Sequence, residues 1–271
     1  MSSYTFQDLM TLDAREPDLF VPTVYPPAEV PFVFGGQLVA QALRAAMGTV
    51  PPDRMPHSVH AHFLAAASPR EPLQYRVDRV RDGRSFSLRQ VDAEQDGRRV
   101  FTATVSFHAA TADVAATDYQ IGAPAAPDPE SDGPWSDYMR NSEYFSVLEL
   151  RELPPAAPGP DGRREHSRRL WFKVPEPLSD DPALHVSALA FASDLGVTVA
   201  ASVTAGLYRR ARVLTSLDHV VWWHRHVRAD SWILLDLESV SNSFQRGTVR
   251  GTMHTAGGVL AASLGQDTII R

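Results

Sequence analysis

The chain has 271 residues, of which 44% are hydrophobic and 21% charged, and its 26 basic and 32 acidic residues give a formal net charge of −6. This balance is typical of a globular protein and argues against a disordered chain or a nucleic-acid-binding protein, which needs a basic surface for phosphates. The absence of cysteine excludes disulfides, thiolate nucleophiles and cysteine-ligated metal sites, and the first residues carry no secretory signal, so we expect a cytoplasmic protein.

The first half of the chain predicts one helix followed by antiparallel strands. Apolar residues at helical spacing begin after Gly35-Gly36-Gln37 and end at Gly48, which predicts a helix over 35–48. The turn signals Asp82-Gly83 and Asp96-Gly97 separate segments of β character. The predicted strands are 58–64, 73–80, 85–94 and 100–108.

A proline-rich stretch separates this half from the second. Eight of the 21 prolines lie between Thr111 and Glu165, and much of this stretch is rich in Pro, Ala, Gly and Asp, a composition that favours loops. We therefore divide the chain into an N-terminal unit of residues 1–110, a connector of residues 111–165 and a C-terminal unit of residues 166–271. Within the connector, the segment 136–153 has the composition of a short helix.

The second half repeats the order of the first. Apolar residues predict a long helix from Leu184 toward Val203, and the strands that follow are 216–224, 232–239, 247–254 and 259–266. The 23 residues from Val186 to Tyr208 hold no Lys or Arg, and this length is enough to cross a bilayer. Because Asp194 lies inside this stretch among Ser, Thr and Gly residues, we interpret it as a buried helix and predict no membrane span.

Two copies of a helix followed by an antiparallel meander predict an α+β fold. Each helix is too apolar to face water on any side, so a sheet must enclose it, which is the arrangement of the hotdog fold. In tandem, two such units join their exposed sheet edges. The sequence therefore predicts a double hotdog, with two long helices packed on one continuous curved antiparallel sheet.

Short segments along nearly the whole chain carry a family resemblance. They are Val33–Ala42, His57–Leu64, Arg81–Ser87, Ala192–Leu195, Leu217–His219, Trp222–Arg225 and Gly247–Gly251. These segments resemble the acyl-CoA thioesterase II family, whose members are double hotdogs that hydrolyse fatty acyl-CoA to free acid and coenzyme A. The resemblance implies an acyl-CoA substrate and no metal or redox cofactor, and because hotdog proteins commonly form oligomers we expect a homo-oligomer.

The resemblance also implies a hydrolytic site. The family uses an Asp, a Thr or Ser, and a Gln, and by motif these fall on Asp194, Ser216 and Gln266. Thr215 is adjacent to Ser216 and matches the family's commoner residue type, but the spacing of 50 residues to Gln266 favours Ser216. Thioester hydrolysis needs a group that takes a proton from water, and Asp194 in an apolar setting has the raised pKa that suits such a base. Ser216 and Gln266 would orient the water.

Two other functions stay open. Residues 179–185 read Ser-Asp-Asp-Pro-Ala-Leu-His, which partly matches the motif of the R-specific enoyl-CoA hydratases and would make Asp180 and His185 the acting pair. A non-catalytic acyl-CoA-binding protein would keep the fold without turnover. Two pairs of histidines, His60 with His62 and His224 with His226, have a spacing compatible with metal binding, but no third ligand accompanies them and no metal site is predicted.

Overall fold

One antiparallel sheet runs through both halves of the chain. The computed structural model describes residues 4–25, 30–109, 118–133, 145–154, 168–207 and 210–271. Within these residues thirteen strands form the sheet, and every pairing in it is antiparallel. The first half contributes α1 (Phe6–Leu9), β1 (Leu12–Glu16), β2 (Leu19–Pro22), α2 (Gly35–Met47), β3 (Arg54–Phe63), β4 (Gln74–Asp82), β5 (Phe86–Gln95) and β6 (Arg98–Ala109).

The second half repeats this plan with a divided helix. Its elements are β7 (Glu149–Glu152), β8 (Arg168–Lys173), α3 (Pro182–Ala192), α4 (Val197–Thr204), β9 (Leu214–Ser216), β10 (Asp218–Trp223), β11 (Ile233–Ser243), β12 (Arg246–Thr255) and β13 (Leu260–Ile270). The strand order is β1-β2-β4-β5-β6-β3-β10-β13-β12-β11-β8-β7, with β9 paired to β13. The halves meet where β3 pairs with β10, for example at Val59 opposite Val221. This arrangement confirms the predicted double hotdog.

Five short strands were not predicted, among them the three-residue β9. Each of β1, β2, β7 and β8 has four to six residues, too few to show a clear alternation of apolar and polar side chains. The short helix predicted over 136–153 is wrong at its end, because 149–152 is a strand that pairs with β8. Residues 136–144 lie outside the described residues. The unit boundaries at 110 and 165 stay a prediction.

The two long helices lie against each other inside the sheet. Residues Gly36 to Gln41 and several beyond them in α2 are buried, as are most of the residues of α3. The contact is close at Gly36, where a Cβ atom would lie 2.2 Å from the backbone oxygen of Phe191. A glycine is therefore required by the helix contact at this position.

The single long helix predicted from Leu184 to Val203 is wrong, because residues 193–196 form a turn between α3 and α4. Gly196 ends this turn with a positive φ of 71° and leaves room for the guanidinium of Arg168, which would lie 2.5 Å from a Cβ atom there. The apolar pattern continues through the turn because both helices are buried. Among the described residues, one stretch, Pro182–Thr204, is long and apolar enough to cross a membrane, and 78% of its most apolar window is buried inside the protein.

Candidate active site

Asp194 lies in the turn between α3 and α4 and faces the amino end of α2. The residue is 8% exposed. Its carboxylate accepts a hydrogen bond from the backbone N–H of Gly36 in the first turn of α2. Gly35 makes this approach possible, because a Cβ atom there would lie 2.6 Å from Asp194 Oδ2. The two glycines at the start of α2 thus bring a helix terminus against a buried carboxylate.

Ser216 and Gln266 reach the same carboxylate from the sheet. Ser216 is the last residue of β9 and lies opposite Thr268 of β13. Thr268 is two residues from Gln266 in the same strand. Gln266 Nε2 donates a hydrogen bond of 2.7 Å to Ser216 Oγ. Both side chains hydrogen-bond the carboxylate of Asp194. The structure therefore brings together the three residues that the resemblance singles out, and the adjacent Thr215 is exposed.

Burial governs the charge of Asp194. Removal from water raises its pKa from 3.8 to about 7, while the hydrogen bonds from Gln266, the Gly36 N–H and Ser216 favour the ionised form and lower it. Desolvation penalises the charged form, and donated hydrogen bonds stabilise it. The net result is a carboxylate that can accept and release a proton near neutral pH.

A cavity of about 570 Å³ opens in front of Asp194. Ser216, Gly35 and Leu38 contribute to its wall, as do the small side chains of Ala65–Ala67 that follow β3. Much of the wall is apolar. The larger apolar side chains that line it are Phe32, Val33, Phe34, Phe63, Phe145 and Leu217. Such a chamber suits an apolar molecule whose polar reacting group lies beside the carboxylate.

Arg168 is a cavity residue that sequence reasoning missed. It forms a 2.6 Å ion pair with Glu152, and both side chains are almost fully buried. Arg168 lies in β8, close to Arg163, Arg164 and Arg169 in the sequence, so no local pattern distinguishes it. Only the tertiary structure places Arg168 on the wall of the cavity.

A second cavity of about 500 Å³ lies at the amino end of α3 and contains the two residues of the hydratase alternative. His185 Nε2 donates to the backbone oxygen of Ser179 at 3.0 Å, and its Nδ1 accepts from the backbone N–H of Ala229 at 3.1 Å. Asp180 is exposed and forms a 2.6 Å ion pair with Arg228. Both imidazole nitrogens of His185 are occupied by the backbone, which disfavours a role as an acid or base.

One histidine of each closely spaced pair is engaged in another contact. His60 lies edge-on to the ring of Trp222, with ring centroids 5.7 Å apart. His224 Nε2 lies 2.9 Å from Ser263 Oγ. Among the residues that the structure describes, no group of three or more His, Asp or Glu side chains is placed to hold a metal ion.

Fold and site together define a double-hotdog protein with a buried carboxylate, a hydroxyl and an amide on the wall of an apolar cavity. Two family models match the chain, the acyl-CoA thioesterase N-terminal domain over residues 25–108 and the acyl-CoA thioesterase C-terminal domain over residues 122–270. The chain therefore belongs to the acyl-CoA thioesterase family, which confirms the resemblance and makes it a thioester hydrolase by family.

Individual relatives agree with this assignment. Human acyl-coenzyme A thioesterase 8 is 31% identical over 258 residues, which cover 88% of this chain and 80% of that protein. Acyl-CoA thioesterase 2 of Haemophilus influenzae is 29% identical and covers 88% of this chain and 87% of its own length. Among solved structures, acyl-CoA thioesterase II TesB2 from Mycobacterium marinum is similar with a TM-score of 0.82 at 33% identity, covering 98% of both chains.

Proposed function

We propose that this protein hydrolyses acyl-CoA thioesters to a free acid and coenzyme A, with Asp194 activating the attacking water and with Ser216 and Gln266 orienting it. One observation carries the mechanism. A buried carboxylate with a pKa of about 7 is hydrogen-bonded by Gln266, Ser216 and a helix-terminal N–H on the wall of an apolar cavity. Membership of the thioesterase family supplies the reaction.

The chemical step follows from these positions. Asp194 takes a proton from a water molecule as the water oxygen bonds to the thioester carbonyl carbon. The resulting tetrahedral intermediate expels the coenzyme A sulfur, and the proton on Asp194 passes to the leaving thiolate. The amino end of α2, whose Gly36 N–H donates to Asp194, brings the positive end of the helix dipole to this wall, which stabilises negative charge on the carbonyl oxygen.

The cavity favours a fatty acyl group. Apolar residues from the segment before α2, from β3 and from Phe145 surround the space in front of Asp194. Burial of each methylene group there contributes about 0.8 kcal/mol. We further propose that the acyl group is a fatty acyl chain, that the protein forms a homo-oligomer and that it is cytoplasmic.

The function is tested by release of free thiol from a series of saturated acyl-CoAs of increasing length. The chain contains no cysteine, so its own side chains add no background to a thiol reagent. Thiol release that rises and then falls with the length of the acyl chain supports the proposal and shows which acyl length the cavity accommodates. Binding of these substrates without thiol release supports the non-catalytic alternative instead.

The pH dependence of kcat/KM tests the base. Protonated Asp194 cannot accept a proton from water, and burial raises its pKa to about 7. We therefore expect kcat/KM to be low in acid and to rise with pH through a midpoint near 7, as measured by initial rates between about pH 5 and pH 9. A rate that is constant down to about pH 5 would argue that an ordinary exposed carboxylate, or no carboxylate, acts as the base.

Substitution of Asp180 separates hydrolysis from hydration. Because Asp180 is exposed and paired with Arg228, we expect Asp180→Asn to keep thiol release within about twofold of the wild-type rate. Hydration of an enoyl-CoA is measured by the loss of absorbance of its conjugated thioester. We expect neither protein to hydrate this substrate. Hydration by the wild type that Asp180→Asn abolishes would restore the hydratase alternative.

A further inference from the structure

His219 lies directly behind the candidate active site. It is the second residue of β10, and its side chain is fully buried. Its Nδ1 lies 2.6 Å from Gln266 Oε1, and its Nε2 lies 2.7 Å from the hydroxyl oxygen of Ser193. Since Ser193 precedes Asp194, the chain of contacts Ser193–His219–Gln266 begins and ends at residues that adjoin or touch the carboxylate.

The contacts define the protonation of the ring. Burial lowers the pKa of His219 to about 4, so the imidazole is neutral near neutral pH and carries one proton. Gln266 Oε1 can only accept a hydrogen bond, which places the proton on Nδ1. Nε2 is then an acceptor. The single proton of the Ser193 hydroxyl has two acceptors within reach, Nε2 at 2.7 Å and the backbone oxygen of Ala190 at 2.8 Å, and the hydrogen bond to Nε2 is the one that this tautomer requires.

The orientation of the Gln266 amide matters because its two ends have opposite hydrogen-bonding character. In the observed orientation, Nε2 faces Ser216 and donates to the carboxylate of Asp194. If the amide is turned by 180°, it keeps nearly the same shape but places its oxygen against the Asp194 carboxylate. The two groups are both acceptors and repel each other. The turned amide would also bring its N–H₂ group against the Nδ1–H of His219.

We propose that His219 is a positioning residue that holds the Gln266 amide in its donating orientation through Nδ1–H, and that the Ser193 hydroxyl holds His219 in this tautomer. The proposal rests on the proposed function of Asp194. His219 acts through Gln266, in the same way that an outer hydrogen bond fixes a residue that itself touches the reacting atoms.

The electrostatic surroundings make the effect measurable. Among the residues that the structure describes, Arg168, which is paired with Glu152, is the charged residue besides Asp194 on the wall of the cavity, and His219 contacts Gln266 from behind. The hydrogen bond from Gln266 lowers the pKa of Asp194. Loss of the correct amide orientation therefore raises that pKa and moves the midpoint of the pH–rate profile upward.

Two substitutions of His219 form a matched pair. Asparagine places an N–H₂ group at the branch position of Nδ1, so His219→Asn keeps the donor, whereas His219→Leu fills similar space without one. We expect His219→Leu to lower kcat about a hundredfold with little change in KM, because the water is no longer oriented. We expect the midpoint of the pH–rate profile of His219→Leu to rise. His219→Asn is expected to keep most of the wild-type rate and the wild-type midpoint.

A spectroscopic measurement on the wild-type protein tests the tautomer directly. In ¹⁵N-labelled protein, long-range proton–nitrogen correlation distinguishes the two neutral tautomers, and the signals that disappear in His219→Asn assign the residue. The Nδ1–H tautomer is the expected result. The Nε2–H tautomer, or a protonated ring at pH 7, would overturn the proposal.

The outcomes separate this proposal from the proposed function. An unshifted midpoint in a folded His219→Leu, or equal losses in His219→Leu and His219→Asn, would overturn the positioning role while inactive Asp194→Asn leaves the mechanism intact. Active Asp194→Asn would instead overturn the mechanism itself. If His219→Leu does not fold, Ser193→Ala serves in its place, with a smaller loss of kcat and an upward midpoint shift expected, and an unchanged profile counting against the proposal.

Discussion

Asp194→Asn is expected to reduce thiol release from acyl-CoA by about a thousandfold, within the range that a general base contributes. Asparagine has nearly the same shape but cannot take a proton from water. Ser216 and Gln266 still contact the position, so substrate binding persists and the loss appears in kcat rather than in KM. Initial rates at saturating substrate, with free thiol as the readout, give the measurement.

Stability provides the control for this variant. The pKa of the Asp194 carboxyl is 3.8 in its ordinary setting and about 7 in the folded protein, so the folded state favours the protonated form. Its contribution to stability is present at low pH and is lost as the pH rises toward 7. At about pH 8 the neutral amide avoids the cost of a buried charge, so the Tm of Asp194→Asn is expected to be at least that of the wild type.

An Asp194→Asn variant that keeps more than about a tenth of the wild-type rate would rule out Asp194 as the base.

Gly36→Ala is expected to lower the free energy of unfolding by about 3 kcal/mol, at the upper end of typical overpacking costs. The new Cβ atom would lie 2.2 Å from the backbone oxygen of Phe191 and 2.5 Å from the ring of Phe34. Backbone atoms cannot rotate away, so α2 and α3 must separate. Urea unfolding followed by circular dichroism measures the change.

Gly257→Ala is the matched control for this substitution. It adds the same methyl group in a turn where the nearest atom, Thr255 Oγ1, is 3.8 Å from the new Cβ. Its stability is expected to stay within about 0.5 kcal/mol of the wild type. If Gly36→Ala unfolds at the same urea concentration as Gly257→Ala, the close contact between the two helices does not require a glycine at position 36.

Most of the sheet could be predicted from the sequence because its long strands expose one face. Alternation of apolar and polar residues marks 58–64, 85–94 and 100–108, and the structure has β3, β5 and β6 there. The strands that escaped prediction are short, and β1, β2, β7 and β8 among them lie toward the ends of the sheet. In β1, four of the five residues are exposed, so the sequence carries no apolar signal.

The division of the second helix could not be predicted, for a different physical reason. Hydrophobic periodicity reports where a helix faces a core, and α3 and α4 are both buried, so apolar residues continue across the turn. Gly196 and Asp194 were visible in the sequence, but each is tolerated inside a helix. The turn becomes necessary only when β8 presents Arg168 to Gly196.

For the site, the sequence by itself determined which residue types were present: a carboxylate in an apolar stretch, paired glycines before a helix and, through the family resemblance, the positions of Ser216 and Gln266. Only the tertiary structure decided that these groups meet. Contact between α2, the turn after α3 and two strands of the second sheet half brings together residues as far apart as Gly36 and Gln266. The raised pKa of Asp194 and the tautomer of His219 depend on burial and on partners distant in the chain, which local sequence patterns do not specify.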